Sequence, residues 1–207
     1  MPHKIERVNQ YNDTRFSREV LLEHGAFLID DKYKCSFKIK RENTAIVEFD
    51  KEVNIDEVID EFRFYAEHIT KFYDMNNKLI KSFENINIFK VNIEDIQPSQ
   101  FYVDKIKVEA VSYFVKSEDD IIIPLAKIND ELVSIDGHTR LYVATKRGYK
   151  QVYGFYTLTE DYISDFVTEA KRRNILTPHD LQILEHDEYK IKWNEFCNDF
   201  FRNKITK

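Results

Sequence analysis

Glycine is scarce in this chain. Only four occur in 207 residues, and two of them, Gly137 and Gly148, lie within SIDGHTRLYVATKRG, Ser134 to Gly148. Glycine is required where the backbone must take a positive φ or let another group approach closely. That concentration makes the stretch the first candidate for a site. LVSI before it reads as a strand, Asp136-Gly137 as a tight turn, and LYVATKR as a short helix ended by Gly148. QVYGFYTL then reads as a return strand.

The rest of the chain organises around this segment. SREVLLEHG is a short helical pattern stopped by Gly25, and AFLIDD, KCSFKIK and NTAIVEFD are strands. In NIDEVIDEFRFYAEHITKFYD, the residues Ile55, Val58, Ile59, Phe62, Ala66, Ile69, Phe72 and Tyr73 recur at steps of three and four, which predicts one long helix with a core-facing stripe. Asn54 and Glu57 stand at the spacing of a capping pair. The texture changes near residue 85, so the expected division is a small N-terminal α/β domain over 1–85, a second domain over 86–158, and a helical C-terminal lobe over 159–207. Within the second domain Pro98 closes a strand, a helix runs from about Asp104 to Lys116, and DIIIPLAKI is a strand. Its Pro124 belongs where no ladder hydrogen bond is needed, at an edge or a bulge. In the tail, Thr177 and Pro178 stand at the N-cap and first positions that helix starts prefer, and the segment to Phe201 reads as helical.

The chemistry lies in DGHTR. A helix that opens straight after a strand and a glycine turn presents unpaired backbone N–H groups and the positive end of its dipole, a ready anion site. Gly137 lets the backbone approach a ligand, Thr139 caps the helix or donates to an oxygen, and Arg140 grips phosphate through a bidentate fork. His138 has the chemistry to donate to phosphate or shuttle a proton. Asp136 would repel phosphate unless it holds a metal ion or orients a donor, and a Mg²⁺ would reconcile the two.

The segment IPLAKINDELVSIDGHTRLYVATKRGYKQVYGFY, with IEDIQPSQFYV upstream, resembles the ParB/sulfiredoxin-type domain over about residues 88 to 158. The resemblance implies an α/β (α+β) fold with a nucleotide or phosphate site at the box, taking ATP, ADP or CTP. Sulfiredoxins carry a nucleophilic cysteine where this chain has His138, so their activity is not expected here. The free serine kinases have a similar box, DGHHR, which implies nucleotide-dependent phosphate transfer to a small hydroxylated metabolite, with His138 and Asp136 as catalytic residues and Asp136 as metal ligand. In those kinases an upstream glutamate acts as base. Here Gln100, from PSQ, occupies that place and joins the expected nucleotide-binding set, but it cannot accept a proton. A non-enzymatic sensor or adaptor using the same pocket is the alternative expectation. HGAFLIDDKYKCSFKIK through FRFYAEHITKFYDMNNKLI, together with the tail EYKIKWNEFC, is similar to a group of bacterial proteins carrying this box, which adds architecture and no chemistry.

A DNA-associated ParB-like regulator is a third and disfavoured reading. The net charge is −6, and the segment Glu160–Lys207 holds eight Lys and Arg against ten Asp and Glu, whereas phosphate-driven affinity needs clustered cations. No apolar run approaches the roughly 20 residues that cross a bilayer, and the opening MPHKIERVNQYNDTRF lacks the apolar centre of a signal peptide. The expectation is therefore a cytoplasmic protein with no membrane partner and an open oligomeric state. Cys35 and Cys197 read as buried free thiols rather than a redox pair. His68 and the Phe62, Phe64, Tyr65, Phe72 and Tyr73 cluster read as core. His179 and His186 lack the further ligands of a metal site, and Trp193 is expected to anchor the last helix.

Overall fold

Positive-φ residues pin two hairpins, and each organises one sheet. Asp30 and Asp31, at φ 53° and 58°, turn strand into strand near the start of the chain, and Asn129 and Asp130, at φ 49° and 65°, do so beside the box. Two consecutive left-handed residues are the signature of the tight turn whose twist matches antiparallel strands. The computed structural model describes residues 3–205 apart from residue 52. It is a mixed α/β chain divided into two compact units between Ile88 and Phe89, rather than at 85.

The first unit carries a six-stranded sheet in chain order: β1 (Ile5–Arg7), β2 (Ala26–Ile29), β3 (Tyr33–Arg41), β4 (Thr44–Phe49), β5 (Lys71–Asp74) and β6 (Leu79–Ser82). Neighbours are antiparallel except β4 and β5, the pair that α2 (Ile55–Tyr65) connects. The short α1 (Arg18–Leu22) follows β1 and is capped by the Ser17 side chain. Phe37 and Phe62 stack at 4.1 Å between ring centroids, and Phe27 and Phe72 meet them edge-on. The long helix expected to reach Tyr73 stops at Tyr65. Beyond it, Thr70 and Lys71 give their N–H groups to Asn43 O, at 2.9 and 3.0 Å, and Phe72 continues the buried stripe from a strand. Asn54 bonds the Glu57 side chain at 2.9 Å and leaves the backbone of α2 uncapped.

In the second unit, the chain forms β7 (Phe89–Asn92), β8 (Ile96–Pro98), β9 (Tyr102–Asp104), α3 (Lys105–Phe114), β10 (Ile122–Ile128), β11 (Glu131–Ser134), α4 (His138–Lys146) and β12 (Gln151–Tyr156). Five of these strands make a sheet in the order β7-β12-β10-β11-β8. β10 is parallel to β12 and antiparallel to β11, so hairpin, box and α4 together form the crossover between two parallel strands. One face packs on α3 and α4 through Ile123, Leu125, Val111 and Leu141. Val133 points to the other, against α5 (Tyr162–Arg172).

Two expectations change here. Pro124 is not on an edge strand: it lies in β10, in the interior of the sheet, paired in register with Phe155. Its carbonyl accepts from Ile135 N–H at 3.0 Å, so its missing donor faces the point where β11 ends and the chain departs into the box. The tail is not uniformly helical either. Thr177 forms a capping box with Asp180 over a single 3₁₀ turn, and β13 (Gln182–Leu184) then pairs in parallel with β9 before α6 (His186–Tyr189), a π-helical turn over Lys190–Asn194, and α7 (Glu195–Ile205). Phe101 takes Trp193 at 5.0 Å and Phe196 at 4.9 Å, while Phe166 of α5 contacts both. The expected C-terminal lobe therefore belongs to the same compact unit as the box.

Candidate functional site

The β10–β11 ladder ends at the Leu125–Ser134 pair, beside Pro124, and that end shapes the box. With β11 finished at Ser134, the chain turns through Ile135 and Asp136 to Gly137, which sits at φ 79°, ψ 16° as the N-cap of α4. No side chain caps that helix among the described residues, so the first-turn N–H groups keep their capacity for an acceptor. A Cβ on Gly137 would stand 2.8 Å from Ile123 Cδ1 and 3.1 Å from Arg140 Nη2. The guanidinium is thus folded back over the glycine. Its Nη1 donates to Ile122 O at 2.6 Å, a carbonyl that β11 does not reach.

Asp136 lies at the exposed mouth of the turn. The surrounding protein opposes its ionisation, but the Arg140 charge and the Gly137 N–H, with smaller help from His138 and Lys107, outweigh that and hold its carboxyl below the usual range. Desolvation draws the Arg140 pKa down and Asp136 acts against it, and a guanidinium keeps its charge throughout. Thr139 is half-buried.

His138 is buried, 4% exposed. Its Nε2 accepts from Ser99 N–H at 3.2 Å, with Ser99 Oγ 3.3 Å away, and its ring also bonds the Ser134 backbone. Ser99 Oγ donates to Ser134 O at 2.7 Å and closes the triangle. Desolvation is the chief reason the imidazole pKa falls to about 4, so the ring is neutral at physiological pH. Beside it, Ser134 Oγ is buried with no hydrogen-bond partner among the described residues.

Gln100 follows Ser99 but turns away from the helix start. Its Nε2 donates to Tyr102 O and, at 3.3 Å, to Tyr189 Oη. Asp104 caps α3 through Ile106 N–H at 3.0 Å and, itself buried, holds His186 Nδ1 at 2.7 Å. Ser99, Ser134, Lys107 and Tyr189 are the residues near the box that motif reading did not single out. Ser99 lies in the PSQ loop beside Gln100, whereas Tyr189 sits in a helix with no motif, brought close by the tail's packing alone.

Among the described residues no group of three or more His, Cys, Asp or Glu side chains is placed to hold a metal ion. A Mg²⁺ at Asp136 would need ligand phosphates and water for its remaining positions, which suits that ion's habits. His179 and His186 lie in separate elements, and Cys35 and Cys197 are free, the first buried and the second half-buried. No helix is long and apolar enough to cross a membrane. No family model and no curated protein matches the chain. Among solved structures, the crystal structure of protein Atu1540 from Agrobacterium tumefaciens matches 47% of this chain and 62% of that one, at 18% identity and a TM-score of 0.35, a likeness that supports no argument about function.

Proposed function

We propose that the second unit is a ParB/sulfiredoxin-like domain that binds the phosphate of a nucleotide at the start of α4. The observation that carries this reading is the uncapped first turn of α4 behind a left-handed Gly137. The N–H groups of His138, Thr139 and Arg140 supply the donors, and the dipole favours an anion there. Arg140 adds a fixed charge while anchored by Ile122 O, and Asp136 is the residue for a Mg²⁺ brought in with the nucleotide. His138, neutral and bonded to Ser99, is assigned to holding the box in shape rather than to proton transfer. The order of strands around α4, with β10 and β12 parallel across the crossover, supports the fold assignment.

A second reading is favoured by Gln100. It takes the place where the resembling kinases carry a base, and its amide is committed to Tyr102 and Tyr189. A non-enzymatic sensor or adaptor fits that arrangement better than phosphate transfer to a hydroxylated metabolite. DNA association remains the third and weakest. Isothermal titration of the folded protein with ATP, ADP and CTP, with and without Mg²⁺, tests the shared premise: heat from at least one is expected, and none from any overturns it. Product analysis with nucleotide and pooled amino acids or sugars then separates enzyme from sensor, because a sensor yields no phosphorylated product.

A further inference from the structure

At the end of α4 away from the box, three segments meet around a cleft of about 160 Å³. One wall is the end of β7 with the 3₁₀ turn Ile93–Asp95, another is Tyr149 and Lys150 between α4 and β12, and the third is the 3₁₀ turn Pro178–Asp180, which brings His179. Hydrogen bonds hold these walls in place. Ile93 N–H donates to Lys150 O at 3.0 Å, Tyr149 N–H to Ala144 O at 3.1 Å, and Thr177 N–H to the Asp180 carboxylate at 2.8 Å. The Tyr149 hydroxyl donates to Lys116 O at 3.3 Å, and Asn92 gives its amide to one oxygen of Asp95 at 2.9 Å. The charged ends are left over. Glu94, Lys150 and His179 are exposed, and their side chains make no hydrogen bond or ion pair among the described residues. Elsewhere on the second unit a lysine within reach of a glutamate closes on it, as Lys90 does on Glu118 at 3.3 Å and Lys105 on Glu185 at 2.6 Å. In the cleft, ammonium and carboxylates stay apart.

We propose that this cleft binds a small zwitterion of amino-acid size, its carboxylate held by Lys150 and the His179 ring and its ammonium by Glu94 and the remaining oxygen of Asp95. The cavity sets the size. Roughly 150 Å³ takes a ligand of about six heavy atoms, well short of the roughly 300–1,000 Å³ that drug-sized ligands occupy. Charge sets the class. A simple anion would meet the carboxylates of Glu94 and Asp95, and a simple cation would meet Lys150, whereas a molecule carrying both signs a few bonds apart gives each group a charge-assisted bond. Ile93, 1% exposed, and the Tyr149 ring offer an apolar footing for the carbon between the two charges. Because the walls are already tied together, binding orders only the side-chain ends. The nine residues of α4 set its two ends about 13 Å apart, so a phosphate at the box touches none of these groups and the cleft does not depend on the phosphate reading.

Glycine, L-alanine, L-threonine and β-alanine are titrated into the full chain, isotope-labelled for amide resonances, beside propionate and ethylamine, which carry one charge each. The expected result is saturable binding of at least one zwitterion, seen as shifts of the Ile93, Lys150 and His179 amides. Propionate and ethylamine should bind about tenfold more weakly or worse, the usual effect of losing one hydrogen bond between charged groups. Lys150→Gln and Glu94→Gln, which remove exposed charges without partners, should each weaken that zwitterion by about tenfold at an unchanged melting temperature. Lys78→Gln, an exposed lysine of the first unit, should leave its affinity at the wild-type value. Absence of a shift with every zwitterion overturns the proposal, and so does equal affinity for propionate. Wild-type affinity in both cleft variants overturns it as well, because the ligand then sits elsewhere.

Discussion

Gly137 and Gly148 bracket α4 and share a left-handed backbone, yet they meet different surroundings. At Gly148, with φ 73°, no atom lies within 4 Å of where a Cβ would go, so Gly148→Ala carries only the conformational penalty, about 1 kcal/mol. At Gly137 the same penalty is joined by overlap with Ile123 Cδ1, and the Arg140 guanidinium must move from its seat. We therefore expect Gly137→Ala to cost about 2–3 kcal/mol by chemical denaturation, the sum of backbone strain and local overpacking, and to lose anion binding that Gly148→Ala retains. Equal costs at the two positions would contradict the close approach at the box. The residue types in DGHTR were legible because glycine, arginine and a helix start each carry chemistry in their own right. Their partners were not. His138 bonds Ser99, 39 positions upstream, and Arg140 bonds a backbone carbonyl 18 positions upstream. A backbone carbonyl leaves no mark in the sequence.

At the scale of elements, α1, the β10–β11 hairpin, α4 and β12 were readable because their signals are local: periodicity, a turn pair, a terminal glycine. The end of α2 was not, since Phe62, Ala66, Ile69 and Phe72 keep three- and four-residue spacing across the break. Six of the eight residues expected to line one helix, Val58, Ile59, Phe62, Ala66, Ile69 and Phe72, do line one core, but Ala66 and Ile69 follow the end of α2 and Phe72 reaches the core from β5. Five residues beyond the end of α2, the Asn43 carbonyl takes the N–H groups of Thr70 and Lys71 and starts β5 instead of a further helical turn. Pairing between strands distant in sequence overrides a local pattern. Likewise β13 reads as part of a helix until β9 supplies its ladder. The loop between β8 and β9 is where the tail and the box meet, and Phe101 is the joint. It is 1% exposed, touches Trp193 and Phe196, and lies under the Arg173 guanidinium at 4.3 Å. Truncating a buried phenylalanine costs about 3–5 kcal/mol, so Phe101→Ala is expected to destabilise the second unit by that amount. It should also weaken nucleotide binding, because the loop that holds Ser99 against His138 loses its anchor. Thermal melting followed by Trp193 fluorescence checks the first part, and titration of the folded fraction at low temperature checks the second.

Over the whole molecule, the two units carry buried titrating groups of opposite sense. In the second, His138 has its pKa depressed from 6.5 to about 4, chiefly by burial. Between those values the unfolded chain binds a proton that the folded unit refuses, so stability is fully present above pH 6.5 and declines on acidification toward pH 4. For a ring this buried the loss is on the order of 3 kcal/mol. In the first unit, Glu23 has its pKa raised from 4.5 to about 7, first by burial and then by Glu19, against the opposing pull of Lys38, the Ile39 N–H and Lys40. Here the folded unit binds the proton more tightly than the unfolded chain, so Glu23 adds stability as the pH falls from 7 to 4.5 and withdraws it as the pH rises. Glu23→Gln, which is neutral throughout, should be the more stable protein above pH 7 and lose that advantage by pH 4.5. Trp193, the single tryptophan, reports the second unit, whose unfolding midpoint in denaturant should fall over the same acid range. Hydrogen exchange at the core amides of β2 and β3, compared between wild type and Glu23→Gln, reports the first. If Glu23→Gln showed no pH-dependent difference, the carboxyl would have to ionise freely in the fold, in conflict with its burial between α1 and β3.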